Sequence, residues 1–211
     1  MTRLSRAVPL VAVMLVAGCG SSSKTASSSS SAPSAEPAAS ASLAPYLVQA
    51  GEETGFSPEG APTLASSPAA WDKGEAGEAA KTRRLTEEGF HAALTVHTTG
   101  SNRGGVAFVL ELGTPSAAQH EVAARFKQLV AEQHPSSLFT IATIPDSHGG
   151  EASGGNDKVV ANVLFSEGSC VLLVGDQVTS GTDPKPPVIA GALKVYGRTA
   201  HSNGVCTRAA A

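Results

Sequence analysis

The sequence lacks any block of basic residues and any later apolar run long enough to cross a bilayer. Its 15 Lys and Arg against 18 Asp and Glu give a formal net charge of −3. Nucleic acid phosphates demand clustered positive charge, so we expect no nucleic-acid partner. The longest apolar stretch in the body of the chain, residues 159–165, has the length of a strand and is too short to span a membrane.

The sequence also has none of the common motifs for metal binding, phosphate binding or nucleophilic catalysis. His91 and His97 share a predicted strand face but lie about 20 Å apart along it, too far to share an ion. Adjacent acids such as Glu52 and Glu53 are expected at the surface, because neighbours in a helix point in different directions. We therefore predict no catalytic residue, no metal and no cofactor.

One group of polar residues leaves an enzymatic alternative open. His148, Glu151 and Asp157 lie in or beside a glycine-rich segment, residues 146–157, that is predicted to be a mobile loop. A hydrolase built from loops would bring these three side chains together with a serine in one pocket. The favoured interpretation of the segment is a solvated loop with no catalytic role.

The N-terminal segment has the features of a secretory signal. Arg3 and Arg6 precede an apolar run of about ten residues, which is followed by small residues and a cysteine. The stretch Val16-Ala17-Gly18-Cys19 resembles the lipobox of bacterial lipoproteins. This resemblance implies cleavage after Gly18 and a diacylglyceryl group on the thiol of Cys19. The protein would then be lipid-anchored on the extracytoplasmic side of the cell membrane, with the membrane as its first partner.

Residues 1–18 are the predicted signal peptide, and composition divides the chain behind it into two parts. Residues 19–42 are rich in Ser, Ala and Pro, which predicts a disordered tether behind the lipidated cysteine. Residues 43–211 have the length of one domain and contain all nine aromatic residues. We therefore expect a single extracytoplasmic domain over 43–211.

Cysteine is scarce, with three residues in the chain. If Cys19 carries the lipid, Cys170 and Cys206 remain, and an even pair in an oxidising compartment usually forms a disulfide. The alternative is two free thiols, one in a strand and one in the C-terminal tail.

The hydrophobic pattern of the domain predicts an α+β fold. Alternation indicates strands at residues 90–98, 106–112, 138–144, 158–166 and 169–174. Helices are predicted over 72–89, from Thr114 to the His134-Pro135 boundary, and from about residue 186 onward, after a short helical segment near Tyr46. After residue 90 the order is β-β-α-β-β-β-α. We expect an antiparallel sheet of about five strands with two main helices packed on one face.

Several scattered residues of the body resemble a group of uncharacterised extracytoplasmic lipoproteins from high-GC actinobacteria. They are Gly55-Phe56, Trp71, Leu85 with Gly89-Phe90, Phe108 ahead of Ser116-Ala117-Ala118, Phe139, Ile144-Pro145 and Phe165-Ser166-Glu167-Gly168. The resemblance implies a fold like the Mog1/PsbP sandwich and supplies no functional residue. The favoured hypothesis is a non-enzymatic binding or accessory module for an envelope protein. It predicts an apolar groove between the sheet and the helices. The alternatives are the loop-built hydrolase and a carrier of an apolar ligand inside the sandwich.

Overall fold

The computed structural model describes residues 35–53, 55–74 and 77–207. Its α-helices are α1 (Ala35–Leu43), α2 (Pro68–Trp71), α3 (Glu78–Glu87), α4 (Pro115–Gln133) and α5 (Lys185–Thr199). Its strands are β1 (Ser57–Ala65), β2 (Ala92–Gly100), β3 (Arg103–Glu111), β4 (Ser137–Phe139), β5 (His148–Gly155), β6 (Lys158–Glu167) and β7 (Cys170–Thr179). Short 3₁₀ helices cover Ala44–Tyr46 and Val205–Thr207. The mixed α+β class predicted from the sequence is confirmed.

All seven strands form one antiparallel sheet in the order β1-β2-β3-β7-β6-β5-β4. The sheet therefore has two strands more than the five expected. β1 has no alternating apolar pattern and contains Pro58 and Pro62, which an edge strand tolerates because one side of its ladder is unpaired. The predicted third strand is reduced to the three residues of β4, at the opposite edge.

The glycine-rich segment predicted as a mobile loop is instead strand β5. It pairs with β6 over most of its length and with β4 at its start. Gly149 is required for packing, because a Cβ atom there would lie 2.3 Å from the ring of Phe139. Gly149, Gly150 and Gly154 therefore permit close packing against neighbouring side chains, whereas Gly155 adopts the left-handed φ of 71° at the turn.

Helix α4 forms where the sequence predicts it. The Thr114 side chain accepts a hydrogen bond from the backbone N–H of Ala117, and Pro115 takes the first helical position. The helix ends at His134, which has a left-handed backbone conformation with φ 48°. The predicted 72–89 helix is shorter, as α3 begins at Glu78 and a separate turn of helix, α2, precedes it.

The two long helices lie on opposite faces of the sheet, not on one face as expected. On the face that we call the α5 face, Val188, Ala192 and Val195 of α5 belong to the same apolar cluster as the alternate strand residues Val163 and Leu172. On the α4 face, Ala118 and Val122 of α4 pack with the intervening strand residues, among them Leu110, Leu164 and Val171. Both faces of the central strands are buried, which makes a three-layer arrangement.

The C-terminal tail returns to the sheet beside the start of β7. Cys170 and Cys206 form a disulfide with their Cα atoms 5.2 Å apart. The Cys206 carbonyl also accepts a hydrogen bond from the backbone N–H of Ser169 at 2.8 Å. The predicted pairing is thus present in the structure. Closing a loop of this size stabilises a domain by about 3–4 kcal/mol on the chain-entropy model.

The beginning of the domain lies earlier than the composition suggests. Residues 35–42, predicted as the end of the disordered tether, belong to α1, and Leu43 at its last position is fully buried against the α5 face. Cys19, the signal peptide and the first part of the tether lie outside the described residues. Among the helices that the structure describes, none has both the length and the apolar character needed to cross a bilayer.

Candidate functional site

The three side chains of the hydrolase alternative do not converge. His148 stacks on Phe126 of α4, with ring centroids 4.9 Å apart, and therefore faces the α4 side. Glu151 is three positions further along β5 and pairs with Ala161, whose side chain belongs to the α5 face. Asp157 lies in the β5–β6 turn with φ 56°. Because the strand alternates, the sheet itself separates His148 from Glu151.

An open apolar cleft lies at the β4 edge of the sheet, beside α4. It has a volume of about 340 Å³ and is lined by Phe126, Leu138, Phe139, Thr140 and His148. Leu138 is 58% exposed, more than Leu193 of α5, which is 38% exposed. The cleft lies between a helix and the sheet, as the binding hypothesis predicts. Its size is at the lower end of the range for small-molecule sites.

A buried acidic site lies on the α5 face, in a row of paired strand residues. Thr98 of β2 pairs with Gly105 of β3, which pairs with Asp176 of β7. A Cβ atom at Gly105 would lie 2.5 Å from Thr98 Oγ1 and 2.3 Å from Asp176 Oδ1. The missing side chain therefore lets the hydroxyl and the carboxylate approach each other across β3. Asp176 is 1% exposed. Burial raises the pKa of Asp176 to about 7, and the charge of Arg103 opposes this rise.

Glu53 is the second acid of this site, contributed by the segment before β1. It is 2% exposed and packs against α5, where a Cβ atom at Gly191 would lie 2.6 Å from Glu53 Cγ. Burial, and then the charge of Asp176, raise the pKa of Glu53 to about 8. Glu53 was expected at the surface beside Glu52, and that expectation is wrong for Glu53. Glu52, in contrast, is half-buried and forms an ion pair with Arg198 of α5.

Arg103 stands at the outer end of the acidic site. It precedes Gly105 by two residues on β3, so its side chain leaves the same face of the sheet. Its guanidinium lies 5.5 Å from the centre of the Phe56 ring, and a Cβ atom at Gly55 would lie 3.0 Å from Arg103 Nη1. The half-buried arginine thus packs against the same segment that carries Glu53.

The oxygens of the acidic site have no hydrogen-bond partner among the residues that the structure describes. Both carboxylate oxygens of Glu53, both of Asp176 and the Thr98 hydroxyl are buried without a hydrogen bond. The sequence held one usable signal for this site. Asp176 follows Leu172 and Val174 at even spacing in β7, so the alternation that predicts the strand also places this acid on a buried face.

A second buried acid, Glu121 of α4, has partners. It is fully buried on the α4 face, and Arg84 of α3 donates hydrogen bonds to it at 2.6 and 3.1 Å. Arg125, one turn further along α4, lies 2.6 Å from its other side. The guanidinium of Arg125 also lies over the rings of Trp71 and Phe108, at 5.7 and 5.6 Å. This network joins α2, α3 and α4 to the sheet.

The described part of the chain contains no group of three His, Cys, Asp or Glu side chains arranged to hold a metal ion. Glu53 and Asp176 are a pair, and any cation between them would need further ligands from hydroxyl, carbonyl or water oxygens.

The fold is similar to the crystal structure of the extracellular domain of PknH from Mycobacterium tuberculosis. The TM-score is 0.51 and the identity 11%, over 75% of this chain and 96% of that domain. The likeness shows the fold. No family model matches the sequence, and no curated protein matches it.

Proposed function

We propose that this chain is a lipid-anchored extracytoplasmic module that binds an apolar group in the cleft between α4 and the β4 edge, without catalysis. The observation that carries this proposal is the cleft itself, with Leu138 58% exposed beside the stacked pair of Phe126 and His148. Covering such a surface with a ligand removes apolar area from water, which favours binding.

The location rests on three independent features. The stretch that ends at Cys19 resembles a lipobox, and the Cys170–Cys206 disulfide is typical of an oxidising compartment. The structural neighbour is itself an extracellular domain, matched over 96% of its length. The net charge of −3 offers no electrostatic attraction to anionic lipid, so attachment would depend on the lipid at Cys19.

The cleft supports binding better than the two alternatives. The separation of His148, Glu151 and Asp157 removes the grouping on which the loop-built hydrolase depended. A carrier would enclose its apolar ligand inside the sandwich, whereas this cleft is open at the β4 edge of the sheet. We therefore favour contact with an apolar group that stays partly exposed, as in a ligand or a partner side chain.

Anchoring is tested by fractionating cells that express Cys19→Ala. The variant should leave the membrane fraction as a folded domain, because nothing else in the proposal holds it there. Ser21→Ala, two residues away, is the matched control and should remain in the membrane fraction. Retention of a Cys19→Ala chain whose signal peptide has been cleaved would refute the anchor.

Binding at the cleft is tested with 1-anilinonaphthalene-8-sulfonate, an aromatic probe whose fluorescence rises in apolar sites. The Cys19→Ala chain is used so that no detergent is needed. Leu138→Ser should weaken probe binding about tenfold, the effect of losing one apolar contact of this size. Leu193→Ser is the control, because Leu193 is also exposed, at 38%, but lies on α5. Equal binding by the two variants would contradict the assignment of the cleft.

A further inference from the structure

The three buried polar side chains of the acidic site on the α5 face come from parts of the chain that are far apart in the sequence. Glu53, Thr98 and Asp176 come from three different elements and are 2%, 3% and 1% exposed. Two glycines border these acids, Gly105 beside Asp176 and Gly191 beside Glu53. A Cβ atom at either glycine would lie within 3 Å of the neighbouring acid's side chain. Both glycines therefore leave the space that the two acids occupy.

The site is costly as it stands. Its five buried oxygens, from Glu53, Asp176 and the Thr98 hydroxyl, make no hydrogen bond to any described residue. Buried carboxylates normally have a partner, because transfer from water without one is strongly unfavourable. The arginine pair around Glu121 shows that this chain supplies such partners where a buried acid is structural. The hydroxyl of Thr98 is an observation independent of the two acids. It is a neutral group, buried without a hydrogen bond and facing Asp176 across Gly105, and such a group points to a ligand that both side chains bind.

We propose that Glu53, Asp176 and Thr98 form a binding site for a calcium-class divalent cation, enclosed between α5 and the sheet. The two carboxylates supply two negative charges and four oxygens, and the hydroxyl supplies a fifth. The cation would satisfy oxygens that otherwise lack a partner.

The ligand set determines the kind of cation. All five atoms are hard oxygens, with no thiolate and no imidazole among them, which disfavours zinc and copper. Calcium accepts irregular oxygen shells of six to eight ligands, whereas magnesium requires a near-ideal octahedron. Side chains from a loop and two strands favour the more tolerant ion. Backbone carbonyl or water oxygens would complete the shell.

Arg103 sets the position and the strength of the site. Its positive charge acts on Asp176 from the outer end of the row, and its guanidinium packs over the ring of Phe56. It offsets part of the negative charge, so we expect affinity in the range of extracellular calcium modules, about 10⁻⁴–10⁻³ M.

The test is calcium binding by the full chain purified in a nonionic detergent, at pH 8, after treatment with a chelator. Equilibrium dialysis with radioactive Ca²⁺ should give one ion per chain, and the melting temperature should rise by about 5 °C when Ca²⁺ is in about a hundredfold excess over its Kd. Mg²⁺ at the same concentration should give a smaller shift, and added NaCl at matched ionic strength should give none.

Variants assign the ion to these residues. Asp176→Asn and Glu53→Gln should each weaken Ca²⁺ binding at least tenfold, and Thr98→Val should weaken it less. Glu87→Gln, which changes an exposed acid on α3 in the same way, should bind like the wild type. The chelator-treated Asp176→Asn chain should melt no lower than the chelator-treated wild type, so its loss of Ca²⁺ response would not reflect misfolding.

Three outcomes would overturn the proposal. They are a wild-type chain that binds no Ca²⁺ in the millimolar range, a Mg²⁺ effect equal to that of Ca²⁺, and an Asp176→Asn chain that binds Ca²⁺ as the wild type does. Should a variant fail to fold, the stoichiometry and the selectivity of the wild type still decide the question. The cleft proposal does not depend on this site, because Leu138 and the acids lie at separate places in the fold.

Discussion

Two buried acids on opposite faces of one sheet have opposite surroundings. Glu121 on the α4 face is contacted by Arg84 and Arg125, each with a nitrogen 2.6 Å from a carboxylate oxygen. Asp176 on the α5 face, with Glu53 beside it, has no hydrogen-bond partner among the described residues. Removing a partner from a paired buried charge is strongly destabilising, whereas removing an unpartnered one relieves a desolvation cost. The comparison therefore separates an acid that holds the fold from acids that the fold must tolerate.

The largest effect is expected at the paired acid. Glu121→Ala removes the fully buried carboxylate that the half-buried Arg84 and Arg125 contact, and it should lower the free energy of unfolding by about 3–5 kcal/mol. Urea unfolding at pH 7 measures this loss. Glu132→Ala on the same helix is the control, because Glu132 is exposed and should change stability by no more than about 0.5 kcal/mol. Equal midpoints for the two variants would show that the network does not stabilise the domain.

The unpartnered acids should make the domain less stable as the pH rises. The pKa of Glu53 is about 8 and that of Asp176 about 7 in the folded chain, both above their values in the unfolded chain. The folded state then holds more protons, so the stabilisation is complete below about pH 4 and is lost as the pH rises through 7 and 8. We expect the free energy of unfolding to fall steadily between pH 5 and pH 9 in the presence of a chelator. Burial also raises the pKa of Glu167, which acts in the same direction.

Calorimetric melting across this pH range measures the effect. Stability that increases from pH 5 to pH 9 in metal-free buffer would contradict the assignment of the acids as unpartnered.

Neutralising one unpartnered acid should have a smaller and opposite effect. Asp176→Asn and Glu53→Gln should each raise the free energy of unfolding at pH 8 by about 1–2 kcal/mol, because no charge has to be buried. At pH 5 the same variants should differ little from the wild type, since both acids are protonated there. Urea unfolding at the two pH values gives the comparison. Destabilisation at pH 8 as large as that of Glu121→Ala would mean that the two sites are equivalent.

The smallest effect is expected at Arg103, which lowers the pKa of Asp176. Arg103→Gln removes that charge and the contact of the half-buried guanidinium with the Phe56 ring, which is worth about 1 kcal/mol. The loss should be greater at pH 8 than at pH 5, because the ionised carboxylate loses its nearby cation. Melting temperatures at both pH values test this, and an equal loss at each would assign Arg103 to packing alone.

Local patterns in the sequence predicted the elements whose own residues carry a cap, an apolar stripe or a clear alternation. Helix α4 has a capping threonine, a proline at the first position and an apolar stripe, and it forms between those limits. The central strands β2, β3, β6 and β7 alternate clearly and were all found. β1 and β5 were missed because prolines and glycines hide their strand character. β1 is a strand because it pairs with β2, which lies further along the chain, and β5 because it pairs with β6, whose alternation is clear.

The candidate sites were harder to predict than the elements. The alternation in β7 continues past the predicted end of the strand at residue 174 and so places Asp176 on a buried face, but nothing local indicated that Glu53 packs against Gly191 of α5. The cleft depends on β5 being a strand, since only then does His148 stack on Phe126. The sequence therefore showed which residue types are present, and the register of the sheet determined which of them come into contact.

The chain alone was sufficient to predict its α+β class, its lipobox-like N-terminus, helix α4 and an even pair of cysteines, because each depends on neighbouring residues or on composition. The tertiary structure decided that α4 and α5 cover opposite faces, that His148 and Glu151 are kept apart, that Thr98 and Asp176 meet across Gly105, and that Glu53 packs against Gly191. Those outcomes depend on contacts between residues distant in sequence. Their free energy comes from sheet pairing and burial, which no short window of sequence contains.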